Sequence, residues 1–580
     1  ICTMKRLVLL FFILPFWLSA NSREYQWRGA MLDLSRHYFP ISHIHKQIDM
    51  LALCGINTLH LHLTDAAGWR MEIKKYPRLH EVAGFRSHES WKDWGKNGNS
   101  YNGSCGGYYT QDDLREVVRH ADSLGITIVP EIEMPGHSEE IFAAYPELLC
   151  DGGCISGNAT GKGRIQSDFC AGNEKTFEFI FDILDEVIDV FPSKYIHIGG
   201  DEAGRQLWNS CSLCQKRMHE LGFETTAQMQ AWFMRRVAGY LTKHGRQAVC
   251  WDEVMDGWEE MEAFMTQAGE HKIPKPIIMC WRGQTKGKEA VAKGFNVVMC
   301  PGEDCYLDNA QDAPNTQAEA NGGYLPFDKV YSYNPNEGIN EDTNESKDSG
   351  HILGLQGNLW AEYIPTPQHA EYMLYPRILA IAMVGKGYEY SVLEAHNIAT
   401  KASEAMRKLG YNSFNLAQEA GERLEKKDTL HNLATGCIVT YNHKYHTKYP
   451  ATGENALTDG LCGGWSFNDK RWQGFLGQEG MDVTINLGEI KEIHRVKCDF
   501  QHICQPYIFA PETFIVSTSQ NGKNYKRLVR DVSEVIETNI PSINTREWKG
   551  TVKAQYIRIQ ALPRKDREGD WTFCDEIVIE

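Results

Sequence analysis

The sequence predicts an α/β protein in two parts, a (β/α)8 TIM barrel followed by an all-β sandwich. Three observations predict it. From residue 28 to about 385, eight short apolar runs alternate with amphipathic stretches of helical period, which is the pattern of a parallel sheet covered by helices. Each run ends in polar or aromatic side chains that a packed core does not need, and a closed barrel brings all such ends to one face. After residue 436 the helical period stops, and short alternating runs separated by turns take over, as in two packed antiparallel sheets. A chain of 580 residues is in any case too long for one ordinary domain.

The strand candidates, in order, are 29–34, 58–63, 126–131, 195–198, 247–251, 277–281, 295–299 and 352–359. Amphipathic stretches at 41–54, 111–124, 174–190 and 225–244 supply crossover helices. The sixth crossover is short, and 301–346 reads as a long polar insertion. Helical sequence then runs to about residue 427 and includes the charged "GERLEKKD". In the sandwich, "MDVTINLG", "TFIVSTS", "YIRIQAL" and "EIVIE" are the strand signals. The resulting division is a leader at 1–22, a barrel at 23–390, a helical extension and linker at 391–432, and the sandwich at 433–580.

The leader is a signal peptide by pattern: Lys5 and Arg6, an apolar run over 7–18, then "SANS". Ala20 and Ser22 fit the small-x-small rule, which places cleavage after Ser22, with Met4 as the start. The run is too short to span a membrane, and no cysteine marks a lipid anchor, so the expectation is a secreted or periplasmic protein. A net charge of −16 argues against a nucleic-acid partner. The 15 Trp and 25 Tyr suit sugar rings as well as they suit cores. Seventeen cysteines fit an exported chain with some disulfides. Cys150 and Cys154 form one close pair, Cys211 and Cys214 another. The second is a CxxC with no further CxxC or His pair near it in sequence, which favours structural thiols or a local disulfide over zinc.

The chemistry concentrates in "KYIHIGGDEAGRQLW", where a strand runs into two glycines and then Asp201 and Glu202. Paired carboxylates split glycosidic bonds, one protonating the leaving oxygen while the other attacks or activates water. Neighbours in an extended strand point in opposite directions, however, so these two are poorly placed to flank one bond. A substrate that carries its own nucleophile, a 2-acetamido group, removes the difficulty. Glu202 is then the acid, and Asp201 orients the acetamide and stabilises its developing positive charge. Three other readings compete. Adjacent acids can simply cap a helix. His60 and His62 on one strand face, with Asp65 beyond, could ligate a metal, but the later strand ends carry Trp251 and Trp281 where a binuclear site wants His. A silent, lectin-like barrel would keep the tryptophans but has no use for an acid.

"LDLSRHYFP", "HLTDAAGWRMEI", "EIEMPGHS", "HIGGDE", "CWDEV", "CYLD" and "GNLWAEY" together resemble glycoside hydrolase family 20, the β-N-acetylhexosaminidases, over about residues 27–385. The resemblance implies Glu202 as general acid, Asp201 as the carboxylate on the acetamide, and Tyr306 as donor to the acetamide oxygen. Trp251, Trp281 and Trp360 would line the acetamide pocket, and Arg36, Asp308 and Glu362 would grip the sugar hydroxyls. Asp65 would hold His137, and His137 would tune Glu202, raising its pKa towards working pH. It implies an exo-acting, retaining enzyme for terminal β-linked GlcNAc or GalNAc, needing no cofactor for catalysis. A related enzyme releasing a disaccharide or a sulfated sugar, or a silent lectin, are the alternatives. Two departures stand out: Ala66 and Ala67 replace the usual polar pair, with Ala66 expected to lose a contact near the pocket, and Glu133 stands where Asp is common. The family's α/β domain ahead of the barrel has no counterpart in the few residues before Trp27.

The C-terminal part resembles a discoidin-like (coagulation factor 5/8 type C) jelly-roll module, through "YPATGENALTDG", "RWQGF", "VTINLG", "VSTSQNGKNYKRL" and "AQYIRIQAL". That resemblance implies a carbohydrate-binding role and a structural calcium at Asp459 and Glu576, completed by backbone carbonyls. Trp465, Trp472, Gln505 and Tyr507 are its candidates for a sugar-binding edge.

Overall fold

A computed structural model describes residues 24–91, 101–154, 164–339, 350–504, 506–535, 538–566 and 569–580. The leader and Gln505 lie outside the described residues. Among these residues no helix is long and apolar enough to cross a membrane.

The chain divides into two compact units: one runs up to Asp308 and resumes over Phe327–Ala417, and the other holds Asn309–Pro326 and Gln418–Glu580. The first unit contains a closed barrel of eight parallel strands. These are β1 (Trp27–Asp33), β2 (Thr58–His62), β3 (Thr127–Glu131), β4 (Tyr195–His197), β5 (Gln247–Trp251), β6 (Ile277–Cys280), β7 (Val297–Met299) and β8 (Ile352–Leu359). Each pairs with its neighbour in sequence, and β8 closes on β1 from Trp27 opposite Gly354 to Leu32 opposite Leu359. The crossovers include α1 (Ile41–Cys54), α2 (Gln111–Ser123), α3 (Glu174–Val190), α4 (Ser212–Leu221), α5 (Thr226–Lys243), α6 (Trp258–Gln267) and α7 (Gln284–Ala292).

Local signals set these helices. Thr110 and Asp113 form a reciprocal capping box at the start of α2, as Thr225 and Gln228 do for α5. Buried Phe177, Ile180, Ile183, Leu184 and Val187 recur at helical spacing along α3 and give it one apolar face. Helix α8 (Arg377–Gly385) is buried on nearly every side, and α9 (Val392–Lys408) follows it.

The expected 23–390 barrel segment is thus interrupted, because 309–326 folds with the second unit. The Asp312 carboxylate accepts the Ala420 and Gly421 amides at 2.9 and 2.7 Å, and Ala310 and Gly323 bond through their backbones. The linker is likewise divided: α9 belongs to the first unit, and the chain from Gln418 to the second.

The second unit is an antiparallel, seven-stranded sheet of β9 (Ile438–His443), β10 (Gln473–Leu476), β11 (Met481–His502), β12 (Thr513–Ser519), β13 (Lys526–Val532), β14 (Ser542–Leu562) and β15 (Trp571–Ile579). β11 and β14 are long strands paired along their length, with register shifts at Asn486/Lys491 and Ile493/Arg495 where bulges bend the sheet. The bend lets β9 pair with the first part of β11 and β15 with the last part. The core between holds Phe475, Ile485, Phe500, Phe514, Ile557 and Ile577. Buried Arg423 is bound by Asp499 and by Asp575 at 2.7 Å, pinning the linker to this core.

Candidate active site

The two glycines of "HIGGDE" answer a packing demand. Gly199 and Gly200 have φ of 66° and 107°, left-handed values that disfavour a side chain. A Cβ on Gly199 would meet the Glu133 carboxyl at 1.8 Å, and one on Gly200 would meet Val254 at 2.3 Å. Glu133 Oε1 accepts the Gly200 amide at 3.1 Å. Burial, with Asp201 nearby, raises the Glu133 pKa well above the carboxylate range, and its side chain supports the turn through Gly200.

Below the turn the barrel holds a buried charge cluster. Glu131, at the end of β3, accepts from His60 Nε2 at 3.0 Å, from His62, and from Trp251 Nε1 at 2.8 Å, and His197 Nδ1 lies 2.8 Å away. Burial opposes its charge, but His197, His62 and His60 outweigh burial and hold its pKa well down. Burial pushes His60 down to about 4, whereas Glu131 and Asp65 overcome burial at His62 and lift it to about 10. His60 and His62 thus serve a carboxylate inside the barrel.

Asp65 joins this cluster to the mouth. Its Oδ2 lies 2.7 Å from Arg36 Nη2 and 3.0 Å from His62 Nε2, and its Oδ1 lies 3.5 Å from His137 Nδ1. The other side of the His137 ring lies 3.6 Å from Asp201 and 3.5 Å from Glu202. One imidazole therefore bridges three carboxylates. Burial lowers its pKa, but Asp65 above all, with Glu202 and Asp201, raises it well above the usual value, favouring the imidazolium form. Both His137 and Glu202 have positive φ, 50° and 43°.

The two adjacent acids are held differently. The Asp201 side chain is 15% exposed, but its Oδ1 is covered and has no hydrogen-bond partner. Burial with the charges of Glu131 and Glu202 raises its pKa against the pull of His137. The Glu202 side chain is 61% exposed. The hydrogen bond from His137 lowers its pKa. This corrects the expectation that the surrounding shell raises the acid: a protonated imidazole beside an exposed carboxyl favours the anion.

The aromatic residues of the strand ends cluster, and the charge of Asp201 acts on Tyr306 among them. Trp251 and Trp360 rings are 5.8 Å apart, Tyr306 and Trp360 6.0 Å, and Trp281 lies nearly parallel to Tyr306 at 6.4 Å. Burial raises the Tyr306 pKa, which keeps its hydroxyl a donor. Trp281 Nε1 donates to Glu253 Oε2 at 3.0 Å, and burial lifts Glu253 to about 8. Arg36 lies 5.1 Å over the Trp360 ring, bonds Asp33 at 3.1 Å, and has Glu362 at 3.8 Å. Asp308 is buried and its charge acts on Tyr306 and Arg377.

All eleven barrel residues singled out in the sequence therefore come from the C-terminal ends of the strands, and most meet within one network. Sequence reasoning missed Asp33, Glu131 and Glu253 as members, although each stands inside a quoted motif. Their role depends on inward position, which the motif alone does not show. Ala66 keeps two backbone bonds, donating to Asp65 Oδ1 and accepting the Tyr101 hydroxyl, both at 2.6 Å. In the second unit, Trp472 is not a surface platform: it is buried, with Nε1 bonded to the Gly464 carbonyl at 3.1 Å. Trp465 is half-buried and bonded to Gly421, and Tyr507 is exposed.

Comparison with known proteins agrees with this geometry. Residues 25–385 match the catalytic domain of glycosyl hydrolase family 20, and residues 439–577 match the F5/8 type C domain. A β-hexosaminidase of Porphyromonas gingivalis is 40% identical over 61% of this chain and 42% of its own length, and one of Akkermansia muciniphila is 33% identical over 64% and 70%. The chain thus spans under half of the first of these relatives. The family 20 exo-β-N-acetylglucosaminidase of Vibrio harveyi, solved with N-acetylglucosamine, superposes with a TM-score of 0.57 at 28% identity over 68% of this chain and 60% of that one. With a family match across most of its barrel segment and the family's acids at the strand ends, the chain belongs to glycosyl hydrolase family 20.

Proposed function

We propose that the protein is an exo-acting, retaining β-N-acetylhexosaminidase that removes terminal β-linked GlcNAc or GalNAc by substrate-assisted catalysis. One observation carries the reading: the buried, unpartnered Oδ1 of Asp201 beside the cage of Trp251, Trp281, Tyr306 and Trp360. A buried acceptor without a donor is costly and calls for one from a ligand. An acetamide N–H supplies it, while its methyl group fills the aromatic cage and its oxygen takes the Tyr306 hydroxyl. So held, the acetamide oxygen is aimed at the anomeric carbon.

The steps follow from the residues. Glu202 protonates the glycosidic oxygen as the acetamide oxygen displaces it, giving an oxazolinium ion. The Asp201 carboxylate faces the resulting positive charge. Water, deprotonated by Glu202, then opens the ring from the first face, so configuration is retained. Arg36, Asp308 and Glu362 bind the sugar hydroxyls; Arg36 is fixed for this by Asp33 and Asp65. Release of p-nitrophenol from its β-GlcNAc, β-GalNAc and β-glucose derivatives tests the reading. Activity on the first two alone, with Glu202→Gln lowering kcat by about 10²–10⁴-fold and leaving KM within a few-fold, supports it. Equal turnover of the glucoside, or an active Glu202→Gln variant, overturns it.

The export signal at 5–22 supports a secreted or periplasmic location; the N-terminal residue of protein recovered from outside the cytoplasm tests it. The second unit acts as a carbohydrate-binding module with a structural calcium. The fit of the metal rests on one turn: Asp459 Oδ1 accepts the Leu461 amide at 2.9 Å and Glu576 Oε2 accepts the Gly460 amide at 3.1 Å. Burial drives Glu576 up to about 8, with Asp459 adding to the effect. Two carboxylates forced together in a partly dry turn suit a hard divalent cation.

A further inference from the structure

Four cysteines distant in sequence meet away from the barrel mouth. The sulfurs of Cys150, Cys170, Cys211 and Cys214 all lie within 4.8 Å of one another, and all four residues are buried. The Cys150–Cys214, Cys170–Cys211 and Cys170–Cys214 separations are 3.8, 3.7 and 3.7 Å. A disulfide needs about 2.05 Å, and none of the four is bridged. Zinc held by four thiolates at about 2.3 Å puts neighbouring sulfurs about 3.8 Å apart, the edge of a regular tetrahedron. The three spacings given match that edge.

The backbone around the cluster is shaped for it. Cys211 caps the N-terminus of α4, so Cys214 sits in its first turn, where backbone amides favour thiolate. Gly172 lets the turn after Cys170 lie against this CxxC: a Cβ there would meet the Leu213 carbonyl carbon at 2.2 Å. The Cys170 carbonyl accepts the Thr176 hydroxyl at 3.0 Å. Cys150 opens a tight turn closed by the Gly153 amide, and its own amide is held by Gln166 at 2.9 Å.

We propose that Cys150, Cys170, Cys211 and Cys214 bind one zinc ion as a closed, tetrathiolate clamp. Binding deprotonates all four thiols and fills every coordination position, so the ion is structural and not catalytic. Its place says what it clamps. Cys150 and Cys170 lie in the β3–α3 connection, which carries His137; Cys211 ends the β4–α4 connection, which carries Asp201 and Glu202, and Cys214 lies in the first turn of α4. From Cys170 the chain leads through Phe169, whose carbonyl accepts Trp208 Nε1, to Asp168, whose carboxylate accepts the Gly204 and Arg205 amides at 2.9 and 2.6 Å. His137, Glu202 and Arg205 all have positive φ, a strained conformation that persists only where the surroundings over-determine it. A metal cross-link between the two connections imposes it. The zinc assignment stands whether or not the glycosidase reading does.

Elemental analysis of the full-length protein, purified without a metal-affinity step, tests the site. One zinc per chain is expected, released in proportion as p-hydroxymercuribenzoate titrates thiols. Cys214→Ser is expected to lose the metal, while Cys154→Ser, outside the cluster, keeps it. Chelation is expected to lower the unfolding temperature of the wild type. Zinc-free wild type, peptide mapping that finds these cysteines in disulfides, or undiminished zinc in Cys214→Ser overturns the proposal. The wild-type measurements decide even where the serine variant fails to fold.

Discussion

Asp201→Asn separates catalytic from structural importance, because the structure makes the two move in opposite directions. The variant keeps the shape and one acceptor but loses the charge. In the proposed reaction that charge bonds the acetamide N–H and faces the oxazolinium. If its worth matches that of one oxyanion-hole donor, about 2.7–4 kcal/mol, kcat falls by about 10²–10³-fold. Stability responds otherwise. Burial and the neighbouring acids raise the folded-state pKa of Asp201. A group so raised adds stability that is fully present below its unfolded pKa and is lost as pH rises through the folded one. At pH 7 the ionised carboxylate therefore counts against the folded state, and Asn removes that cost. His137 still has Asp65 and Glu202 beside it. The expected result is a large fall in kcat on p-nitrophenyl β-GlcNAc with an unfolding temperature equal to or above that of wild type. A fall in kcat of under about tenfold, or a fall accompanied by a clearly lower unfolding temperature, refutes the reasoning.

Two further outcomes follow from the titrating groups. His137→Asn removes the cation that lowers the Glu202 pKa; the free acid then holds its proton to higher pH, so the basic limb of the kcat/KM profile shifts upwards, and an unmoved or lowered limb contradicts the assigned contact. In the second unit, Glu576 is raised to about 8, so without calcium its stabilising contribution is lost as pH rises from the ordinary carboxylate range through 8. Calcium should cancel that slope; urea unfolding at pH 5 and 8, with calcium or chelator, measures it, and identical slopes remove the calcium site.

The barrel was legible because its signals are local and repeated. Each of the eight runs is a strand, and the ends differ from expectation by two residues or fewer. Polar side chains at those ends have no core role, so their convergence could be read before any fold was seen. What stayed hidden depends on distance in three dimensions. Cys150 and Cys170 complete the CxxC from 64 and 44 residues before Cys214, too far for spacing to reveal. The 309–326 segment looked like a barrel insertion because it lies between β7 and β8; its own bonds, through Asp312, put it with the linker. Trp472 looked like a sugar platform because the same residue type serves surfaces and cores.

The pKa of Glu202 bears on how the proposed reaction would start. A general acid must carry its proton, yet Glu202 is exposed and lies 3.5 Å from the His137 ring, whose hydrogen bond lowers its pKa. A sugar seated on Asp201 would cover Glu202 and take its carboxyl out of water, and desolvation favours the neutral acid. The same ligand brings an N–H to Asp201 Oδ1, which stabilises that carboxylate as an anion. In the proposed reaction, binding would thus drive the two adjacent acids apart, Glu202 towards the acid and Asp201 towards the base. His137 then lies between a neutral and an ionised carboxyl, and Asp65, fixed by Arg36 at 2.7 Å, keeps its ring in place. In the proposed reaction, the division of labour between two neighbouring carboxylates would be created by the substrate that needs it.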